Sequence, residues 1–183
     1  MIRTNRSSAA VALACAGFAL ASTAGAVDLR DWGKKYPASE RFVVLAAFDN
    51  QAVLDKETQL VWERSARGRV PYAVDWDLAR VDCFNRILAG RKGWRLPSVH
   101  ELNTLIVPNF GLPKPQLPDG HPFTDIAIGS GDTNGYWSAT TNEGYPQNAF
   151  YIRFSDGFVY DVTKDAQRRA WCVRGGPAST DRY

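Results

Sequence analysis

Histidine and cysteine, the residues that most often bind metals, are scarce in this sequence. There are two histidines and three cysteines among 183 residues. His100 and His121 lie far from the cysteines and show no metal-ligand spacing. The G-x-S-x-G pattern of a nucleophilic serine is absent as well. The sequence therefore predicts neither a metal site nor a cofactor, and it does not predict an enzyme.

A hydrophobic run long enough to cross a bilayer is also absent. The nearest approach is Ala9–Thr23, an apolar stretch of small residues that follows two arginines and precedes the A-x-A-like cleavage site Ala24-Gly25-Ala26. This order of charge, apolar stretch and cleavage site is typical of a signal peptide. We therefore predict that residues 1–26 are removed and that the protein is exported, to the periplasm or beyond the cell.

The excess of positive charge is small. The formal net charge is +3, and Arg3 and Arg6 belong to the predicted signal peptide. A general nucleic-acid binder would carry a stronger positive field, so we predict no nucleic-acid partner. Aromatic residues are plentiful, and six tryptophans predict an aromatic-rich core or an aromatic ligand surface.

Two cysteines remain once Cys15 leaves with the signal peptide. Cys83 and Cys172 form an even pair in an exported chain, which most simply predicts a disulfide bond. Such a bond would close a loop of about 90 residues, worth roughly 4–5 kcal/mol in the chain-entropy model. The two thiols could instead bind a metal, but we favour the disulfide.

The ten residues from Gly93 to Leu102 contain the clearest structural motif. Trp94 and Leu96 alternate at strand spacing, so both should point into one core while Arg95 points away. This alternation predicts a strand-like segment that enters the motif.

Pro97 then ends this strand-like segment, because proline fixes its own φ and restricts the residue before it. Ser98 and Glu101 stand three residues apart and match a capping box, in which each side chain bonds the other's backbone N–H. A helix is therefore predicted to start at Ser98.

A second helix is predicted between Asp75, which can cap it, and Gly90. Its apolar residues recur at helical spacing and predict one buried stripe. The residues in this stripe are Trp76, Ala79, Cys83, Phe84, Ile87 and Leu88.

Alternating and aromatic stretches predict the strands, including a hairpin across Ser155-Asp156-Gly157. The predicted strands span 41–48, 53–55, 59–62, 136–140, 149–154, 158–163 and 170–174. Two helices with these hairpins make an α+β domain, and we expect one antiparallel sheet with both helices packed against it.

The predicted layout has four parts. Residues 1–26 are the signal peptide, 27–48 a leader with an edge strand, 49–176 the domain, and 177–183 a tail. Within the domain, residues 109–135 contain five glycines and four prolines with almost no periodicity. A loop this long inside a compact domain is usually functional or mobile.

Together these segments resemble the bacterial Lcl C-terminal domain family over about residues 49–175. The matching segments are Val53-Leu54-Asp55 with Thr58, Leu60-Val61-Trp62, Trp76 with Ala79 and Cys83, Gly93 to Pro97 with Glu101-Leu102, Tyr136 to Thr140, Ala149 to Gly157, and Cys172-Val173-Arg174. The resemblance implies a C-type-lectin-like, formylglycine-generating-enzyme-like α+β fold and export or surface attachment. The domain that gives the family its name is an adhesin module for sulfated glycans. The resemblance also places Cys83 and Cys172 where the family has structural cysteines, not reactive ones.

Basic and aromatic residues are the first candidates for ligand binding. Arg64, Arg67 and Arg69, with the pair Arg91-Lys92, could bind a sulfated or phosphorylated polymer, since arginine suits bidentate contacts with anions. Surface arginines are more often only solvated.

Exposed aromatic rings are a second class of candidate. Phe110 and Tyr145 lie in loops and are candidates for an exposed aromatic platform. Trp94 and Trp137 are flanked by core positions, so we expect both to be buried.

Calcium is a further possibility, because sugar-binding C-type lectins hold it in their long loop. Asp119, Asp125, Asp132 and Asn134 are oxygen donors of the right kind. The lectin carboxylate-amide signatures are absent, however, and turn formation explains these residues better. No metal is therefore predicted, and the four residues remain candidates for contacting a ligand.

These observations favour an exported, non-catalytic binding module that displays loops 109–135 and 142–148 from a rigid scaffold. The expected partner is a sulfated or other glycan, or an envelope protein. One alternative is an enzyme that uses Asp119, Asp125 or Asp132 with His121. Another is a structural subunit of the envelope.

Overall fold

The computed structural model of the chain describes residues 36–67, 73–107, 115–129 and 131–176. The predicted signal peptide and the predicted tail lie outside these described residues. Within the described ranges, no helix has the length and apolar character needed to span a membrane.

The described residues form an α+β domain. In chain order its elements are α1 (Ala38–Arg41), β1 (Phe42–Val44), a 3₁₀ turn (Ala46–Phe48), β2 (Ala52–Asp55), β3 (Leu60–Glu63), α2 (Trp76–Phe84), α3 (Val99–Asn103), a second 3₁₀ turn (Asp132–Asn134), β4 (Tyr136–Thr141), β5 (Asn148–Arg153), β6 (Phe158–Thr163) and β7 (Val173–Gly175). This confirms the predicted fold class.

The strands form two antiparallel sheets, whereas the sequence predicted one. The first has the order β1-β2-β3-β7 and the second has the order β4-β5-β6. The segment before β7 explains the difference, because it passes from one sheet to the other. Arg169 makes a single bridge to Tyr136, whereas Val173 pairs with Trp62 in the first sheet. Of the predicted last strand, 170–174, only Val173 and Arg174 belong to β7.

Alternating residues of both sheets supply two separate hydrophobic clusters. In β4, Tyr136 belongs to the first cluster and Trp137 to the second. In β5, Ile152 belongs to the first cluster and Tyr151 to the second. Because successive side chains of a strand point to opposite faces, β4 and β5 are covered on both faces, whereas β6 is largely exposed.

Trp171 is the centre of the first cluster. It is fully buried, and its ring lies 5.0 Å from Phe123, 5.2 Å from Trp62, 5.6 Å from Phe154 and 5.8 Å from Tyr136, centroid to centroid. All four contacts are edge-on or tilted, the arrangement that aromatic quadrupoles favour. The abundance of tryptophan therefore serves the core.

α2 begins where the sequence predicted and ends earlier. The Asp75 carboxylate accepts a hydrogen bond from the backbone N–H of Leu78 at 2.8 Å, as expected of an N-cap. The helix ends at Phe84, because Asn85 is the C-cap and the chain turns at Ala89 and Gly90 with positive φ.

Part of the predicted buried stripe is wrong, because Phe84 is offset by about 100° from Cys83 around the helix and Ile87 lies beyond the helix end. Ala79 and Cys83 are fully buried, as predicted, but Phe84 and Ile87 are exposed. Only the face that carries Ala79 and Cys83 packs against the domain.

The motif from Gly93 to Leu102 forms as predicted. Trp94 and Leu96 are buried in the second cluster. The Arg95 side chain lies on the outside, where it pairs with Glu101 at 2.6 Å. The capping box of Ser98 and Glu101 starts α3, with both reciprocal hydrogen bonds present.

The leader contributes more than the expected edge strand. β1 lies at the edge of the first sheet, and α1 precedes it. Arg41 at the end of α1 is buried and forms a bidentate pair with Asp55 of β2, at 2.9 and 2.7 Å. This buried pair fixes the leader to the sheet.

Candidate functional site

The described part of the long loop is anchored in the core. Leu117, Phe123 and Ala127 are all buried in the first cluster. Between these anchors, Asp119 and Asp125 are exposed. The loop therefore presents its acidic residues from a backbone that the core holds in place.

A backbone connection joins this loop to the basic stretch that follows β3. Ser65 and Thr124 form a parallel bridge, and the N–H of Ala66 donates to the carbonyl of Thr124 at 2.9 Å. Ala66 is itself fully buried. Two candidates from distant parts of the sequence, Arg67 and Asp125, are thereby brought to the same surface.

That surface contains a cavity of about 390 Å³, which we call the arginine depression. Its lining residues are Arg67, Asp125, Ile126, Ala127 and Arg169. Two guanidinium groups and one carboxylate thus line a single open recess.

Asp125 presents an ionised carboxylate in a fixed position. Its backbone is in the left-handed region, with φ of 59°, which aspartate tolerates better than most residues. The Ser65 hydroxyl donates to Oδ2 at 2.7 Å and the Thr124 hydroxyl donates to the same oxygen at 3.1 Å. These hydrogen bonds lower the pKa of Asp125, and the one from Ser65 contributes most.

Arg169 completes the depression, and it was not among the residues predicted from the sequence. Its backbone N–H donates to Gly135 at 2.8 Å and its carbonyl accepts from Trp137 at 2.9 Å. Its side chain donates to Oδ1 of Asn134 at 3.3 Å. Asn134, a predicted ligand residue, therefore contacts the arginine that lines the recess.

The chemistry of the depression suits a ligand that is both anionic and rich in hydroxyl groups. Arginine forks bind sulfate, phosphate or carboxylate through paired N–H donors. An ionised carboxylate such as that of Asp125 accepts hydrogen bonds from hydroxyl groups. None of the described lining residues is a nucleophile of the Ser, Cys or Lys type.

Other predicted ligand residues lie elsewhere or serve the fold. Arg64 donates to the carbonyl oxygens of Pro122 at 3.2 Å and Asn50 at 3.3 Å. Arg91 lies over the ring of Phe48 at 4.6 Å. These two arginines therefore hold neighbouring segments together.

The remaining candidates are not brought to the depression. Tyr145 is 61% exposed in the loop of residues 142–148, as expected for an aromatic platform. Trp137 is fully buried, also as expected. Arg69, Phe110 and the Asp132 side chain lie outside the described part of the structure.

His121, named in the enzyme alternative, is partly covered. Its ring stacks on Phe123 at 5.9 Å. Burial lowers its pKa, and the nearby charge of Asp119 acts in the opposite direction. We therefore expect the imidazole to be neutral at pH 7.

The two remaining cysteines form the predicted disulfide. Cys83 of α2 and Cys172 are bonded, their Cα atoms lie 5.4 Å apart, and they are 89 residues apart in sequence. Both are fully buried. The bond joins α2 to the segment that leads into β7, and it confirms the predicted pairing.

A buried acidic group beside the disulfide was not predicted. Glu63 is 5% exposed. Its carboxylate accepts from the N–H of Cys172 at 3.0 Å and pairs with Nε of Arg86 at 3.1 Å. Arg86 also binds Asp82 at 2.6 Å.

The environment of Glu63 favours its neutral form. Burial raises its pKa to about 7, and it outweighs the opposing effect of Arg86. Asp82 shares that arginine, which weakens the attraction available to Glu63. Glu63 is also one of the residues that line a second cavity of about 410 Å³, together with Arg64 and Thr124.

No group of three or more His, Cys, Asp or Glu side chains among the described residues is arranged to hold a metal ion. Fold and site together define the chain as a disulfide-linked α+β domain with a polar surface depression. The family model described as the Lcl C-terminal domain matches residues 51–174, so the chain belongs to that family. No curated protein matches the chain.

Proposed function

We propose that this chain is an exported, non-catalytic binding module that holds an anionic glycan in the arginine depression. The supporting observation is the recess lined by Arg67, Asp125 and Arg169, whose guanidinium also donates a hydrogen bond to Asn134. These residues come from three separate stretches of sequence and supply both anion and hydroxyl contacts. The buried disulfide is compatible with export, because such bonds persist in oxidising compartments.

The roles within the depression follow from charge. Arg67 and Arg169 bind a sulfate or carboxylate group of the glycan, and Asp125 accepts hydrogen bonds from neighbouring sugar hydroxyls. The fixed position of the Asp125 carboxylate reduces the entropy lost on binding. The lectin-like fold implied by the sequence resemblance is part of this proposal.

Binding assays with matched glycans test the proposal. The purified protein is titrated by calorimetry with a sulfated glycan, its desulfated counterpart and a carboxylated one. We expect the sulfated or carboxylated form to bind, the desulfated form to bind at least tenfold more weakly, and affinity to fall with added salt.

Two variants locate the site. Arg169→Gln is expected to weaken binding about tenfold, in line with the loss of a charge-assisted contact. Lys56→Gln removes the same charge from an exposed turn and should leave affinity unchanged. Equal losses in both variants, or binding of an envelope protein with no glycan bound, would contradict the proposed site.

A further inference from the structure

A second cavity lies beside the arginine depression. It is the cavity of about 410 Å³ that Glu63, Arg64 and Thr124 line, and Asn50 and Gln51 line it as well. We call it the amide cavity, after the side chains of the last two residues. Both are exposed, and within the described residues their hydrogen bonds all use backbone atoms. Their amide groups are therefore available to a ligand.

The wall between the two cavities is one residue wide. Thr124 lines the amide cavity, and the next residue, Asp125, lines the arginine depression. Consecutive Cα atoms lie about 3.8 Å apart. Ser65 also lines the amide cavity, and its hydroxyl donates to the Asp125 carboxylate at 2.7 Å. A disaccharide with one ring in the depression can therefore place its other ring in the amide cavity.

Arg64 holds the walls of the amide cavity in place. Its backbone N–H donates to the carbonyl of Gln51 at 2.8 Å, and its own carbonyl accepts from the N–H of Thr124 at 2.9 Å. Its guanidinium donates to the carbonyls of Pro122 and Asn50 at 3.2 and 3.3 Å. Because these bonds fix the walls before a ligand binds, less entropy is lost on binding.

The chemistry of the amide cavity suits an uncharged sugar ring. Amide and hydroxyl groups both donate and accept hydrogen bonds, as sugar hydroxyls do. Leu88 adds an apolar wall, against which the C–H face of a sugar can pack. Arg64 is the single cation among the described lining residues. Two of its three nitrogen atoms already donate to carbonyls, so its guanidinium has less left to bind an anion.

We propose that the arginine depression and the amide cavity form one extended site for a glycan in which a sulfated sugar is linked to an uncharged sugar. The sulfate binds Arg67 and Arg169, and the neighbouring ring exchanges hydrogen bonds with Asn50 and Gln51. This inference rests on the proposed function, because it starts from an anionic group in the depression. It adds the size and charge pattern of the ligand: two rings, of which one is charged.

Calorimetric titration with four small probes tests this size and charge pattern. The probes are galactose sulfate, lactose with one sulfate on its galactose ring, lactose with a sulfate on each ring, and unsulfated lactose. We expect the singly sulfated lactose to bind about tenfold more tightly than galactose sulfate, since the second ring adds hydrogen bonds. A second sulfate should give no further gain, and unsulfated lactose should bind most weakly.

Variants of the two amide residues locate the second ring. Gln51→Ala removes one amide, and Asn50→Gly removes the other while glycine suits its backbone φ of 59°. Each should lower the affinity for singly sulfated lactose about threefold or more and leave that for galactose sulfate unchanged. Arg169→Gln should weaken both probes. Gln147→Ala is the matched control, because this exposed glutamine lines neither cavity, and it should change neither affinity.

The outcomes distinguish the extended site from the proposed function. Equal binding of galactose sulfate and singly sulfated lactose, both weakened by Arg169→Gln, would leave the depression as a sulfate site and overturn the extended site. Full affinity for singly sulfated lactose in both amide variants overturns it too, as does much tighter binding of the doubly sulfated form. If no sulfated probe binds, the extended site is wrong, and titration with the longer sulfated glycan decides separately whether the depression binds an anionic glycan.

Discussion

Two carboxylates near the end of β3 occupy very different environments. Glu63 is 5% exposed, contacts Arg86 and the N–H of Cys172, and has a pKa raised by burial to about 7. Asp125 is exposed, accepts two hydroxyl hydrogen bonds, and has a lowered pKa. The Ser65–Thr124 bridge connects their two segments, since Glu63 precedes Ser65 by two residues and Asp125 directly follows Thr124.

The difference separates a structural acid from one available to a ligand. A buried carboxylate loses hydration, so its charged form is costly unless partners compensate fully. An exposed carboxylate held by hydroxyl groups keeps its charge at little cost to the fold. We therefore expect changes at Glu63 to affect stability and changes at Asp125 to affect binding.

In the buried region around Glu63, the largest loss of stability should come from removing the disulfide. With Cys83→Ala and Cys172→Ala combined, we expect the free energy of unfolding to fall by about 4 kcal/mol, because an 89-residue separation is no longer closed in the unfolded chain. Denaturant unfolding monitored by tryptophan fluorescence measures this.

Reduced and alkylated wild-type protein is the control, since it should lose a similar amount of stability. Glycan affinity of the folded variant should be unchanged, because neither cysteine lines the arginine depression. A loss below about 1 kcal/mol would mean that the unfolded chain is already compact.

The next largest effect concerns the pH dependence of stability. The folded pKa of Glu63, about 7, lies above its ordinary value of 4.5, so the folded state binds the proton more tightly. The associated stability is fully present below pH 4.5 and is lost as pH rises through 7. The total change is about 3 kcal/mol, since one pKa unit corresponds to about 1.4 kcal/mol.

Glu63→Gln should remove most of this pH dependence while it keeps an acceptor for the N–H of Cys172. Unfolding free energies of both proteins are compared between pH 5 and pH 8, and the slopes matter more than the absolute values. Parallel curves for variant and wild type would show that Glu63 does not titrate in this range. Stability measurements therefore decide whether Glu63 behaves as a buried neutral acid.

Local sequence patterns predicted the parts of the fold that depend on neighbouring residues. The capping box of Ser98 and Glu101, the alternation of Trp94 and Leu96, and the Cys83–Cys172 pair were all predicted correctly. The first two depend on short-range stereochemistry, and the third follows because only these two cysteines remain after the predicted signal peptide is removed. The division into two sheets depends on long-range pairing around Arg169 and Tyr136, which no local pattern specifies.

The candidate site could be predicted only in part for the same reason. Residue type and loop position identified Arg67, Asp125 and Asn134. Arg169 was missed because it lies beside the core segment that leads to Trp171. No local sequence pattern indicates that an arginine at this position lines a recess. Glu63 was missed because a carboxylate at a strand end is usually solvated, and only tertiary packing buries it.

A third carboxylate, Glu101, is intermediate between Glu63 and Asp125. Burial alone would raise its pKa, but the hydrogen bonds from Arg95 and Ser98 outweigh burial and lower it. Its contribution to stability is therefore present above the unfolded pKa and lost as pH falls through the folded pKa. Glu101→Ala should cost about 1–2 kcal/mol, from the lost helix cap and the pair with Arg95.

Glu101→Gln is the matched control, because glutamine can keep the capping box and loses only the ion pair. It should cost less than half as much as alanine in thermal unfolding. Equal costs would mean that the ion pair with Arg95, not the helix cap, supplies the stability.

The smallest effect on stability, and the most informative for function, is expected from Asp125→Asn. The side chain is exposed, so the free energy of unfolding should change by less than about 0.5 kcal/mol, as for most surface substitutions. Asparagine keeps an oxygen that can accept from Ser65 and Thr124. It loses the charge that strengthens hydrogen bonds from sugar hydroxyls, so glycan affinity should fall about three- to tenfold. If affinity rises instead, the carboxylate repels the anionic ligand, and Arg67 and Arg169 alone account for binding.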